Sequence, residues 1–92
     1  MEIDNAKGFA IKALLWLAKD NQNLEAFLMS SGANANDLRI RSKDPEFLSF
    51  ILDFFMTSDE LVLSLSQDLN ISPEEIQIAR SVLSGGDLPH WT

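Results

Sequence analysis

The residue types that most often do chemistry are scarce in this chain, and their spacing is poor. There is one histidine, His90, and no cysteine. Zinc sites draw on clustered His and Cys in arrangements such as HxxxH or HExxH, and none occurs. A nucleophilic serine needs a neighbouring base to take its proton. Serines are plentiful here, but most fall at caps or turns, and His90 is the only imidazole. Two adjacent carboxylate pairs, Asp59-Glu60 and Glu74-Glu75, remain as prospects for acid–base work. Successive residues on a helix point about 100° apart, so neither pair shares a site. No glycine-rich phosphate loop is present. The chain therefore reads as having no catalytic residue, no metal ligand and no cofactor-binding residue, and as not being an enzyme.

Charge narrows the partners. The 92 residues carry a net charge of -7, with a pI near 4.4. Residues 1–43 hold six basic groups against five acidic, while residues 44–92 hold nine acidic groups against Arg80 alone. One reading is an acidic face for a basic partner. The plainer reading is that Asp44, Glu46, Asp59, Glu60, Glu74 and Glu75 mark helix starts, where negative charge meets the positive end of the helix dipole. Phosphate affinity is poor at such a balance, and the one basic cluster, Arg39, Arg41 and Lys43, is short. The segments either side of LNIS faintly suggest a helix-turn-helix. Its second helix offers only Gln77 and Arg80 behind two glutamates, which argues against nucleic acid.

The elements that would position these groups are all helical. A first helix spans about Asn5–Ala18, with Asp4 as its N-cap and an apolar face through Phe9, Ala13 and Leu17. Gly8 in its middle would let a neighbouring helix approach. A second spans about Asn21–Ser30, capped by Asp20 and ended by Gly32. A third, about Ala35–Arg41, is capped by Asn34 and carries an exposed Asp37–Arg41 pair. The fourth begins at Asp44-Pro45-Glu46 and runs to about Met56. A fifth starts at Thr57-Ser58-Asp59-Glu60, where Thr57 and Glu60 have capping-box spacing. Asn70 ends it, and Leu69 continues its helical face past the strand-like VLSLS. The sixth starts at Ser72-Pro73-Glu74-Glu75 and stops at Gly85-Gly86. Trp91 in the tail either folds back onto the bundle or stays loose.

The fourth helix, with the stretch FLSFILDFFM, is the unusual one. On a helical wheel Glu46, Ser49 and Asp53 fall within about 60°, and apolar residues sweep the remaining ~240°. That is too apolar for a surface helix and too short for a membrane span. It reads as the central helix, with the others packed round it. The competing reading leaves Phe50, Phe54 and Phe55 partly exposed as an interaction surface for a partner or for self-association. Asp53 either meets water through a gap or is half-buried and paired. Arg39 is the preferred partner, and backbone N–H groups at a helix start are the alternative.

Several segments, taken in order, resemble one family. They are Trp16-Leu17, Phe27-Leu28 with Ser31-Gly32, Leu38-Arg39, Asp44-Pro45 with Phe47-Leu48, Leu52-Asp53-Phe54 and Asp59-Glu60. The family is the domain-of-unknown-function family 3572, and the resemblance covers about Ala6 to Leu83. It implies a small helical bacterial protein of the cytoplasm, with no assigned activity, cofactor or catalytic residue.

The sequence therefore predicts an all-α fold: a compact irregular or orthogonal bundle of about six short helices around a central helix at 45–56. One domain at 4–85 would carry an irregular tail at 86–92. No 18-residue apolar window exists, and acids sit where a signal peptide needs bases, so a cytoplasmic protein with no membrane partner is expected. The expected role is a non-catalytic protein–protein interaction or regulatory module. The alternatives are an acidic helical domain of a small-molecule-binding protein or enzyme, and a helix-turn-helix nucleic-acid binder.

Overall fold

Capping explains where most of the helices begin and end. The computed structural model describes residues 1–85, apart from the side chain of Ala35. It contains α1 (Ile3–Ala18), α2 (Asn21–Ser31), α3 (Ala35–Arg41), α4 (Pro45–Met56), α5 (Asp59–Leu69) and α6 (Pro73–Leu83). Asp20 opens α2 by accepting the N–H groups of Gln22 and Asn23 at 2.9 and 3.3 Å. Asn34 and Asp37 accept each other's backbone N–H at the start of α3. Asp44 accepts the Glu46 N–H at 3.0 Å, with Pro45 behind it at the first helical position. Glu75 reaches back to accept the Ser72 N–H at 3.2 Å. Gly32 ends α2 and Asn70 ends α5, both in the left-handed region at φ 73° and 56°.

Three local expectations shift. Helix α1 begins at Ile3 with Glu2 as its cap position, so Asp4 lies in the first turn and acts on the helix dipole instead of capping. Ser58 caps α5, accepting the Leu61 N–H at 3.3 Å. Thr57 belongs to the end of α4, where its hydroxyl donates to the Phe54 carbonyl at 2.6 Å. Asp37 is taken up by the α3 capping box, and no Asp37–Arg41 ion pair forms among the described residues.

Helix α4 organises the packing. It buries Phe47, Leu48, Ser49, Ile51, Leu52 and Phe55. Helices α1 and α6 pack against it and against each other, and α5 closes on α4 and α6. From α2, Phe27 enters as a single fully buried ring. Its centroid lies 6.0, 6.0 and 5.4 Å from those of Phe47, Phe50 and Phe54. From α3, the Arg41 guanidinium lies 4.6 Å from the centre of the Phe47 ring, a cation–π contact. So all five other helices touch α4. The Cα radius of gyration, 12.6 Å, matches the roughly 12 Å of a compact chain this long. Ser49, expected on the outer stripe, is buried, one turn before Asp53 on the shoulder that α6 covers.

The buried residues form one cluster, which extends from Ala6 on α1 to Leu83 on α6. Close helix approach is supplied by Ala6, Ala10, Ala13 and Ala79, all fully buried. Gly8 does not contribute to it: a Cβ built there has no neighbour within 4 Å.

Two stability measurements follow. Phe27→Ala removes the only α2 ring packed on α4 and should cost about 3–5 kcal/mol in denaturant unfolding; a loss under about 1 kcal/mol would mean that α2 is not held by this contact. Gly8→Ala fills open space on a regular helix and should raise stability by about 0.5–1 kcal/mol. A drop in the melting temperature would contradict the open environment of Gly8.

Candidate functional site

Asp53 is the carboxylate set within the most apolar helix, and it is paired. Its partner is Arg80 of α6, whose Nε–H donates to Oδ1. Both side chains are 40% exposed. This corrects the expected Arg39–Asp53 pair. Arg39 is exposed on α3, whereas α6 runs along the shoulder of α4 that carries Asp53. The pair has a consequence for α6. Arg80 is the sole basic residue after position 43, and it is engaged. The exposed positions of α6 then include Glu74, Gln77 and Ile78, which is not a phosphate-binding face.

The three phenylalanines expected as an interaction surface differ in exposure. Phe55 is fully buried, its ring 5.6 Å from Trp16. Phe54 is half-buried between Phe27 and Phe55. Phe50 is exposed, at 38%, and leans on Phe27. The wheel of α4 alone could not show that α2 would cover this side with one large ring.

A larger concave feature than the surface near Phe50 lies between α1 and α5. Helix α5 packs mainly on α4 and α6 and less closely on α1. The gap is a groove of about 800 Å³ between the α1–α2 corner and α5. Trp16, Leu61 and Leu69 give it apolar surface, and Asp20, Glu60 and Asp68 bring carboxylates, against Lys19 alone. The Trp16 ring rests on Phe55, and its indole N–H donates to Asp68 at 2.6 Å across the gap. That bond holds the indole in place, half-buried, as a wall of the groove. A second cavity of about 420 Å³ lies further along α1. It is lined by Phe9, Leu69 and Ile71 beside Asp4, Lys12 and Glu75, and bare Gly8 opens onto it.

Sequence reasoning placed Trp16 on the apolar face of α1 and did not pair it. The only available signal was chemical: a half-buried indole N–H needs an acceptor. Asp68 is 52 residues away. Among the described residues, no group of three or more His, Asp or Glu side chains converges as a metal site would require. No helix among them is long and apolar enough to cross a membrane. His90 and Trp91 lie outside the described residues, as does the expected tail at 86–92.

A family model described as "Protein of unknown function (DUF3572)" matches residues 3–86. It is the family that the ordered segments of the sequence resemble. No curated protein matches the chain. No solved structure matches it.

The Asp53–Arg80 pair is open to water, so its contribution is that of a partly screened bridge. A double-mutant cycle with Asp53→Ala and Arg80→Ala should give a coupling of about 0.2–1 kcal/mol, shrinking at high salt. A coupling of several kcal/mol, insensitive to salt, would show that the pair is desolvated in solution.

Proposed function

The chain belongs to the DUF3572 family, and we propose that it is a non-catalytic helical module that acts by binding another protein. The observation that carries this reading is the groove beside Trp16. It is open, and it sets an aromatic and two leucines among charged groups. Such mixed surfaces suit protein recognition, where aromatic side chains serve as anchors and a polar rim surrounds them. The polar groups along its walls are carboxylates, amides, a hydroxyl and one ammonium, with no imidazole or thiol among them. That composition favours binding over acid–base or nucleophilic chemistry. The absence of cysteine from the sequence suits a reducing compartment, and we place the protein in the cytoplasm.

A second reading has one observation in its favour. The cavity beside Gly8 has an apolar floor and sets Lys12 against two carboxylates, Asp4 and Glu75. Its volume falls in the range of small-molecule pockets, roughly 300–1,000 Å³. A metabolite that raises the melting temperature, and fails to do so in a Gly8→Leu variant, would move the assignment to a small-molecule-binding domain.

The interaction reading is tested by photo-cross-linking in the native cell. A cross-linking residue at Ser64, in the groove, is compared with one at Met29, which is 85% exposed on α2. A discrete adduct that forms from the Ser64 position and is absent from the Met29 position is expected. No adduct from either position, with a strictly monomeric protein in sedimentation, would remove the interaction role.

A further inference from the structure

We infer that the groove between the α1–α2 corner and α5 takes a cationic peptide segment of a partner protein, one that presents an arginine or lysine beside an apolar residue. The inference rests on the binding role proposed above and specifies its occupant.

Three features of the groove lead there. The first is its sign. Asp20, Glu60 and Asp68 face a single ammonium, Lys19. The structural duties of these acids do not neutralise them. Asp20 accepts two backbone N–H groups and Asp68 accepts the Trp16 indole N–H. Those donors are neutral, so each carboxylate keeps its full charge. A carboxylate has about four acceptor positions, so each also has room for another donor. Among the described residues no base pairs with any of the three. Asp53, by contrast, is already matched by Arg80. The groove therefore concentrates negative charge that the fold has left unmatched.

The second feature is Trp16. Its ring is seated on Phe55 and its N–H is tethered to Asp68, so its orientation is set before anything binds. A guanidinium or ammonium over an indole face gains a cation–π attraction. Carboxylates beside that face would hold the charged end. An arginine suits the site best, because its planar fork can stack and still donate in the ring plane.

The third feature is the remaining surface. Leu61 and Leu69 offer apolar area next to the charged walls. Asn23, Ser64 and Gln67 can serve an extended backbone as donors or acceptors. A chain with an apolar side chain next to its cation matches that alternation. An acidic segment would meet like charge, and a nucleic acid would do so along its whole backbone.

The test is a titration of the 15N-labelled full chain, followed by NMR, with two synthetic probes. One is a peptide of alternating arginine and leucine, and the other replaces every arginine by glutamate. The basic peptide should shift the Trp16 indole N–H and the backbone amides of Asn23, Leu61, Ser64 and Leu69, and its affinity should fall as salt rises. The acidic peptide should shift none of them. Glu60→Gln combined with Asp68→Asn removes two charges and leaves an amide oxygen at position 68 that can still accept the indole N–H. This double variant should weaken the basic peptide by about tenfold or more. Asp20 is left unchanged because it caps α2. Ser64→Trp fills the groove from an exposed position of α5 without altering charge and should abolish the shifts. Equal effects of both peptides, shifts confined to another face, insensitivity to the charge-removing pair, or no shift at millimolar peptide would each overturn the inference. A cellular adduct from the Ser64 position that persists undiminished in the Glu60→Gln, Asp68→Asn background would overturn it too. That last result would leave the binding role itself intact.

Discussion

Covering α4 is the constraint on which the rest of the structure depends. Its apolar residues extend round most of the helix, so water cannot be left on more than a narrow strip. One neighbouring helix buries one side of another, so several are required. Helices α1 and α6 take the largest share, lying against α4 and each other, with alanines that permit close approach. Helix α2 uses one phenylalanine to cover three rings of α4. Helix α3, only seven residues long, lays Arg41 over Phe47. The strip left open carries Glu46, Phe50 and Asp53, and Arg80 partly covers Asp53. The short, unequal helices are the result of surrounding a single rod from several directions.

The same arrangement accounts for the groove. Helices α1 and α5 both lie beside the α4–α6 pair and touch each other less than they touch that pair. Trp16 crosses the gap. Its bond to Asp68 ties α5 to α1. An exposed hydrogen bond of this kind adds little net stability. Its larger effect is to fix the indole. Helix α5 also holds the one buried side-chain polar atom without a partner among the described residues, Ser66 Oγ. An unmatched buried hydroxyl is a cost, and α5 bears it.

The helices were legible in the sequence because their signals are local. Asp20, Asn34, Asp44 and the Ser72–Glu75 pair act within three residues of where they stand, and Gly32 and Asn70 stop helices by their own backbone conformation. The slips at α1 and α5 were of one or two residues, and at α5 two hydroxyl residues that can cap, Thr57 and Ser58, lie side by side. The centrality of α4 was legible too, since a helical wheel counts how much surface must be hidden. The choice of partner was not. Arg80 stands 27 residues from Asp53 and Asp68 stands 52 from Trp16, and no spacing rule connects them. Arg39 was closer in sequence and had the right charge, but α3 does not lie on that shoulder of α4. Phe55 failed as a surface residue for the same reason: a wheel gives directions around one helix and not which neighbour occupies each direction.

Net charge needed the structure before it could bear on function. Most acids after position 43 sit at helix starts, as their spacing suggested, and this explains why they are tolerated there. It does not make them inert. A helix dipole offsets about half a charge at short range, and a backbone N–H brings no net charge at all. Only a base cancels a carboxylate outright, and among the described residues only Asp53 has one within ion-pair distance. The remaining acids continue to set the field around the molecule, and where that field coincides with a groove and a fixed indole it favours a cation. A structural role for a charged residue and a binding role for it are therefore compatible here, because the fold uses the lone pairs of Asp20 and Asp68 and leaves their charge.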